Sequence, residues 1–486
     1  MTQNLLQQSH TSVDAEDMTA DERQPLLRQV KSREDVYDEV DLPEDWGLAY
    51  KWGIVALLAF MAFTVTFTCI SVVPVASRII SDLNGGQDSK IGSILLVTIW
   101  ELGEAAGPLL IAPLSERYGR YLVFNAANVL FICGSVLGVL SQSMKLMIFA
   151  RFFIGATVAS NVLNPAIIGD IFPSEQRGSA MSVVMFAPLL GGAIGPAISG
   201  AIAETLGWRG TMWLAIGLAV VCEVVFLTLF RETYKVTVLA AKGLDVADFT
   251  DQPISEPKLS LAAAITRPVK VFWSSFVLQI MSIYGALVFT FFYVMSTTLP
   301  DILRYRYDFT PATVGSAFLS FSIGSVLGLI ICNFLLDRIY TRLRLSDDVK
   351  SAAENRLPLM MLGAIILPFV VALYGWVAQL VLPVWLMLLS VVLLGVFVIL
   401  TMVPMMAYVV DAFNLFSASA MTAVLITRCL MGTFLPLVTA PLTDEIGYGL
   451  GFTVLAAATI VLAPTPFFVW RYGSQWRQKS VYTKDE

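Results

Sequence analysis

The stretch Pro113-Leu114-Ser115-Glu116-Arg117-Tyr118-Gly119-Arg120 packs an acid, two arginines and a glycine into one turn between two long apolar runs, 91–114 and 121–140. Glu116 can lie against a helix N-terminus or an arginine, Arg117 and Arg120 can bind carboxylates, and Gly119 permits a tight turn. Two readings stay open: a latch that ties two halves of the protein together on one side in one state, or positive charge that only enforces topology. A shorter echo, Leu335-Leu336-Asp337-Arg338, follows the eighth apolar run. Asp337 and Arg338 stand there as Glu116 and Arg117 stand after the second run, which predicts a duplicated architecture.

Working outward from this turn, we read twelve apolar segments: 52–77, 91–114, 121–140, 146–169, 178–203, 212–230, 270–298, 312–336, 358–378, 383–410, 417–441 and 450–470. Each is long enough for a helix to cross about 30 Å of hydrocarbon. Continuous runs of this kind are not the short alternating segments of a membrane barrel. Charged residues make up 14% of the 486-residue chain, against roughly 25% in soluble domains, so a water-soluble enzyme is excluded. The expected fold is an all-α membrane protein with twelve transmembrane helices in two pseudo-symmetric six-helix bundles. With the N-terminus inside, 23 of the 31 Lys and Arg residues fall on the inner side and 6 on the outer, the other two being Arg151 and Arg428 within helices. The positive-inside rule then places both termini in the cytosol. The domain plan is an acidic tail (1–46), a first bundle (47–231), a cytosolic central connection (232–269), a second bundle (270–472) and a short C-terminal tail (473–486).

The net charge of −6 is local, because residues 1–46 hold 12 acids and 4 bases. That tail lacks apolar periodicity and reads as disordered, and no apolar core behind a basic start suggests a signal peptide. Cys69, Cys133, Cys222, Cys332 and Cys429 lie singly in apolar runs without a CxxC pair, and the one histidine, His10, is in the tail. No metal, no cofactor and no imidazole proton relay in the membrane are therefore expected.

Proton chemistry must then fall on carboxylates. Glu101 and Glu104, at i and i+3, share one face of the second segment near mid-depth. Two acids this close repel if both ionise, which favours a shared proton or a bound cation; alternatively they are structural partners of Arg151 or water. Arg151, in Arg151-Phe152-Phe153-Ile154-Gly155, and Arg428 are intramembrane cations, costly unless they face a wet cavity or an acid. Either can bind a substrate carboxylate or neutralise Glu101 and Glu104. Glu223 in the sixth segment is a further buried acid. Tyr284, Phe291, Tyr293 and Tyr408 can stack on planar or cationic substrates, although most aromatics of such a chain pack or face lipid. In the fifth segment, Gly191-Gly192-Ala193-Ile194-Gly195-Pro196-Ala197-Ile198-Ser199-Gly200 strips one helix face of bulk, and Pro196 bends the helix, so that it can pack closely against the other half.

These elements, in this order, resemble the major facilitator superfamily, and within it the fungal-type twelve-helix drug:proton antiporters, over about residues 50–480. The turn after the second segment is similar to the family's GxxxDRxGRR, matching at Glu116, Arg117, Gly119 and Arg120, with Ala112 for the leading Gly, Glu116 for the Asp and Tyr121 for the last basic residue as departures; Arg151 and Gly155 resemble RxxxG; Gly191, Gly195, Pro196 and Gly200 resemble the antiporter motif GxxxGPxxGG, with Ser199 at one glycine position. Arg231-Glu232-Thr233-Tyr234 with Ala241-Lys242, and Tyr408-Val409-Val410-Asp411-Ala412-Phe413 with Ser417-Ala418-Ser419-Ala420, continue the match. The resemblance implies proton-coupled efflux of a drug, toxin or secondary metabolite, with Asp170 as the acid that pairs with the gate arginines on the cytosolic side and Glu223 at the periphery.

Rival classes are a proton-coupled uptake carrier for a small solute or polyamine, a transporter-like sensor, and a membrane enzyme. The sequence has no HExxH, GxSxG or phosphate-binding loop, so neither enzyme nor internal ATPase is expected. The expected partners are a small molecule, protons and the bilayer, without nucleic acid, for a monomer in the plasma membrane.

Overall fold

The computed structural model describes residues 42–173, 176–241, 261–344, 353–413, 416–480 and 482–483. Most of the acidic tail, the middle of the central connection and the side chain of Asp337 lie outside the described residues. In the first half, α1 (Leu48–Ile70), α2 (Ala76–Leu83), α3 (Lys90–Tyr118), α4 (Arg120–Val139), α5 (Met144–Ala156), α6 (Ser160–Ile171), α7 (Arg177–Thr205) and α8 (Gly207–Leu229) follow one another. The connection carries α9 (Lys235–Ala241) and α10 (Leu261–Ser274). In the second half come α11 (Phe276–Tyr307), α12 (Pro311–Arg344), α13 (Leu357–Gln379), α14 (Val384–Phe413), α15 (Ser417–Leu462) and α16 (Thr465–Arg477).

Eleven stretches among the described residues are long and apolar enough to cross a membrane, and the last, Ser417–Arg477, is 61 residues long. Gly447, at φ 82° and ψ 166°, breaks it in two, which makes twelve crossings. A residue with a Cβ would be strained there, so the glycine supplies the turn between the last two spans.

Several expected boundaries move for local reasons. The seventh crossing starts at Phe276 and not at 270, because the Ser275 hydroxyl accepts the Leu278 N–H and caps a new helix. The preceding α10 is a separate element of the connection. The fourth crossing is two helices, broken at Thr157–Ala159, where the Thr157 Oγ1 turns back to the Ile154 carbonyl at 2.8 Å. The first ends its regular helix at Ile70, and α2 carries the chain onward.

Two seams join the halves: α7 runs along α12, and α3 along α15. In the first seam a Cβ on Gly200 would fall on the Pro311 carbonyl, and one on Gly315 on the Pro196 carbonyl, so the two backbones touch. Gly195 lies elsewhere. A Cβ there would stand 3.5 Å from Phe67 of α1, ordinary contact within its own half, and one on Gly191 would meet the Phe63 carbonyl of the same helix. The expectation that this whole glycine face seals against the other half is thereby corrected: 3.6 residues per turn puts 191 and 195 on a different side from 196 and 200.

Candidate functional site

The charged centre of the molecule is assembled by α3, α6, α11 and α15. A rise of 1.5 Å per residue puts Glu101 about 17 Å and Glu104 about 21 Å along α3 from Lys90, and the whole helix of 29 residues is about 43 Å long. Both acids are therefore near mid-depth and buried, at 1% and 7% exposure. Glu101 accepts a hydrogen bond from the Tyr293 hydroxyl, while its Oε2 has no hydrogen-bond partner among the described residues. Glu104 is more heavily committed: Trp100 Nε1 donates to Oε2 at 3.1 Å, and Asn161 Nδ2 at 2.8 Å and the Arg428 guanidinium at 3.3 Å donate to Oε1. Arg428 also stacks over the Phe289 ring, 4.2 Å from its centroid.

Prolines loosen the backbone at this level. Pro108, Pro165 and Pro436 each lie four residues beyond Glu104, Asn161 and Gly432, and each removes the helical hydrogen bond to that residue's carbonyl. Glycines bring α3 and the fourth crossing together: a Cβ on Gly103 would meet the Phe152 carbonyl, and one on Gly155 the Trp100 carbonyl.

Arg151 is brought close to this centre without joining it. Its guanidinium donates to the carbonyls of Thr68 at 2.9 Å, Cys69 at 2.7 Å and Leu96 at 3.3 Å, and lies 4.7 Å from the Trp100 ring centroid. Fully buried, it braces α1 against α3, and the acid that sequence reasoning offered it is taken by Arg428. Glu223 is also apart. It sits between α8 and α4, where Asn128 Nδ2 donates to it at 2.8 Å.

Hydrogen bonds between the halves, among the described residues, run from this centre toward the face that carries Gly85. Besides the Glu101–Tyr293 and Glu104–Arg428 contacts, Thr433 Oγ1 donates to the Thr98 carbonyl at 3.3 Å, Arg304 donates to Ser77 Oγ at 3.3 Å, Lys90 pairs with Asp444, and the Ala312 N–H donates to Glu204 at 3.0 Å. These cross-half bonds gather at mid-depth and on the Gly85 face.

On the opposite, Gly119 face, charge clusters form inside each half. Arg120 donates to Asp170 at 3.3 Å and to Ser115 Oγ at 2.5 Å and lies over the Tyr234 ring; the Thr233 hydroxyl adds a bond to Asp170 at 3.3 Å. Glu232 accepts the backbone N–H of Arg120 at 2.8 Å and of Tyr121 at 3.1 Å, capping α4 from 112 residues away. Gly119, at φ 92°, makes room, because a Cβ there would collide with the Glu232 carboxylate. Burial pushes the Tyr234 phenol up, with Glu116 adding to the rise and Arg120 opposing it. Glu116, Arg117 and Arg338 are exposed, and among the described residues the gate arginine that pairs with an acid is Arg120, with Asp170 on its guanidinium and Glu232 on its backbone N–H. The latch between halves expected of Glu116 and Arg117 is here a clasp within one half.

The second half repeats the clasp with other residues. Arg356, just before α13, pairs with Asp411 at the end of α14, and Arg477 at the end of α16 makes a bidentate pair with buried Glu354, 2.8 and 3.1 Å. Arg120 at the start of the third crossing and Asp170 at the end of the fourth thus correspond to Arg356 at the start of the ninth and Asp411 at the end of the tenth. The repeat is real, and its second copy lies about twenty residues beyond the Asp337-Arg338 echo.

The sequence matches the family model of the Major Facilitator Superfamily over residues 54–436. The chain belongs to this superfamily. Among its curated relatives, the efflux pump radE of Floropilus chiversii is 30% identical over 452 residues, spanning 90% of this chain and 83% of its own. The MFS transporter cpaT of Aspergillus oryzae is 28% identical over 451 residues, 90% of each. Among solved structures, a D-xylose-proton symporter superposes with a TM-score of 0.66 at 16% identity, over 88% of this chain and 98% of that one. A bacterial homologue of the human lysosomal transporter Spinster, inward-facing and unoccupied, gives 0.66 at 13% identity, over 89% and 98%. These likenesses establish the fold, and the superfamily is one of transporters and not of enzymes.

Within this major facilitator fold, Glu101, Glu104 and Arg428 come together as one site, while Arg151 and Glu223 do not join it. Sequence reasoning missed Asn161, Trp100, Phe289, Glu354, Arg356 and Arg477. A signal existed for two of them. Asn161 is an amide four residues before an intramembrane proline, and Arg356 immediately precedes an apolar run as Arg120 does.

Proposed function

We propose that this transporter is a proton-coupled exporter of a small organic molecule, a drug, toxin or secondary metabolite, working by alternating access. The observation that carries the reading is the buried Glu101, Glu104 and Arg428 cluster, held at mid-depth across the seam between the halves. The name of the relative radE, an efflux pump, supports the direction. The lysine and arginine distribution supports both termini in the cytosol of a plasma-membrane protein, with the Gly119 face inside. The bundles 47–231 and 270–472 are the rocking units, and the protein works as a monomer.

In this scheme the Glu104–Arg428 pair helps hold the halves together on the α3–α15 seam. A proton on Glu104 weakens that tie and leaves Arg428 to Phe289 and to the cavity that opens. Glu101, which accepts the Tyr293 hydroxyl one helical turn from Glu104, is placed to pass the proton on. A substrate entering from the cytosol and a proton entering from outside then compete for the same buried groups, which is how exchange is coupled.

The test is substrate-dependent proton release from proteoliposomes loaded with a pH-sensitive dye, screened against a panel of metabolites and drugs. Release that grows with substrate concentration and is lost in Glu101→Gln and Glu104→Gln supports the proposal. Substrate flux that ignores the pH gradient in the wild type refutes the coupling.

A further inference from the structure

With no CxxC pair and no intramembrane histidine, the sequence predicts no metal, yet the fold brings a thiol to two carboxylates that lie 325 or more residues before it in the chain. One ligand atom each from Glu101, Glu104 and Cys429 lies within 4.8 Å of the other two. All three side chains are buried, Glu101 at 1% and Cys429 at 0% exposure. A second observation points to a ligand. Glu101 spends one oxygen on the Tyr293 hydroxyl, but Oε2 is buried without a hydrogen-bond partner among the described residues. That oxygen faces α15: it is 3.5 Å from where a Cβ on Gly432 would stand, and Gly432 is three residues from Cys429, on the same helix face.

Charge favours the same conclusion. Glu101 and Glu104 bring two negative charges and Arg428 one positive, so the cluster as ionised is one charge short of neutral. A divalent cation that displaces the Cys429 thiol proton sees three anionic ligands beside one guanidinium, and the sum is zero. We propose that Glu101, Glu104 and Cys429 form a binding site for a thiophilic divalent cation of the zinc or cadmium class. Mixed thiolate and carboxylate donors suit these ions. Bonds of about 2.3 Å to sulfur and 2.0–2.2 Å to oxygen place tetrahedral donors roughly 3.5 Å apart, so the three close in by about 1 Å, a movement that side-chain rotations supply. Because two ligands sit on α3 and the third on α15, the bound ion staples the seam that alternating access must part, and transport stops. The inference goes beyond the proposed function, since binding needs neither substrate nor proton gradient.

The test uses the full chain in detergent, with thiols reduced, titrated with Cd²⁺ and followed by the ultraviolet thiolate-to-cadmium charge-transfer band. One equivalent is expected to saturate the wild type. Cys429→Ser should remove the band and weaken binding by about 100-fold, and Glu101→Gln, which keeps the thiol, should weaken it at least 10-fold. Cys222→Ser, on the far side of the first half, should bind as the wild type does. No saturable band in the wild type overturns the proposal. So does a band that survives Cys429→Ser; its loss in Cys69→Ser would put the ion on the buried thiol of that residue instead. If Cys429→Ser fails to give a monodisperse protein, the Glu101→Gln titration decides, and wild-type affinity there refutes the site.

Discussion

Replacing Gly200 by alanine tests the seam between α7 and α12 with one methyl group. The built Cβ lands on the Pro311 carbonyl, well inside van der Waals contact, and the obstacle is backbone, which cannot rotate away. Carbon and oxygen settle at about 3.5 Å, so the two helices must part by roughly 1 Å along this turn, and the reciprocal fit of Gly315 on Pro196 loosens with it. Overpacking of this kind costs about 1–3 kcal/mol, charged entirely to the state in which the seam is closed. If the open state lacks this contact, the closed-to-open ratio falls about 5- to 150-fold. Gly195→Ala is the internal control, because its methyl meets Phe67 at 3.5 Å and needs no movement. Accessibility of a cysteine placed at Ser77, on the Gly85 face, to a charged thiol reagent reads the shift, and proton leak in proteoliposomes reads its consequence. Gly200→Ala should label faster and leak, while Gly195→Ala should match the parent. Equal behaviour of the two variants, or arrest by Gly195→Ala alone, would refute the assignment of the seal to the 196 and 200 side of α7.

Three further outcomes follow from the same geometry. Glu104→Gln keeps one acceptor oxygen for the Trp100 indole, can pair its amide with Asn161 only if that amide turns over, and loses its charge opposite Arg428, so proton-driven flux should fall at least 10-fold while downhill counterflow persists; retained uphill transport would end the coupling role. Arg120→Ala and Arg356→Ala break clasps in different halves, each costing about 1–3 kcal/mol for a partly exposed pair, and their effects on thermal unfolding in detergent should add within about 0.5 kcal/mol; strong non-additivity would show a latch that spans the halves. Glu223→Gln retains an acceptor for Asn128 and should leave the pH dependence of transport unchanged, whereas Glu223→Leu strands that amide and should cost about 1–3 kcal/mol of stability; a shifted pH profile in the glutamine variant would restore Glu223 to the coupling machinery.

The bilayer explains why so much was legible. A helix that crosses hydrocarbon must be apolar for its whole length, so the crossings declare themselves, and an intramembrane charge such as Glu101, Glu104 or Arg428 stands out against them. Partners are harder to read. Arg151 and Arg428 are equivalent in a hydropathy profile, yet one ends on three backbone carbonyls and the other on Glu104, because only the tertiary packing of α1 against α3 supplies those carbonyls. Helix phase was decisive for Gly195 and Gly200: both belong to one small-residue run, and five residues of offset, about 140° around the axis, send them to different neighbours. The second clasp was hidden for another reason. Duplication preserved the places of Arg356 and Asp411 relative to the helices they flank, and around the acid a short string survives, Asp170-Ile171-Phe172 then Ser179-Ala180-Met181 against Asp411-Ala412-Phe413 then Ser419-Ala420-Met421, whereas around Arg356 no string matches that of Arg120.

The placement of the two clasps bears on how the halves move. Arg120, Asp170 and Glu232 join the loop before α4, the end of α6 and the segment after α8, all within one half; Glu354, Arg356, Asp411 and Arg477 join the equivalent points of the other. Among the described residues, each clasp ties its own bundle at the Gly119 face, while the bonds that cross between bundles gather at mid-depth and at the Gly85 face. A rigid body needs internal ties at the end where it lacks external ones, since there the helices would otherwise splay when the halves separate. Under the proposed coupling, the clasps would turn a proton event at Glu104 into rotation of a whole half rather than bending of α3 alone, because bending would have to break the Glu232 cap on α4 and the Arg120 pair at the far end of the same helix hairpin.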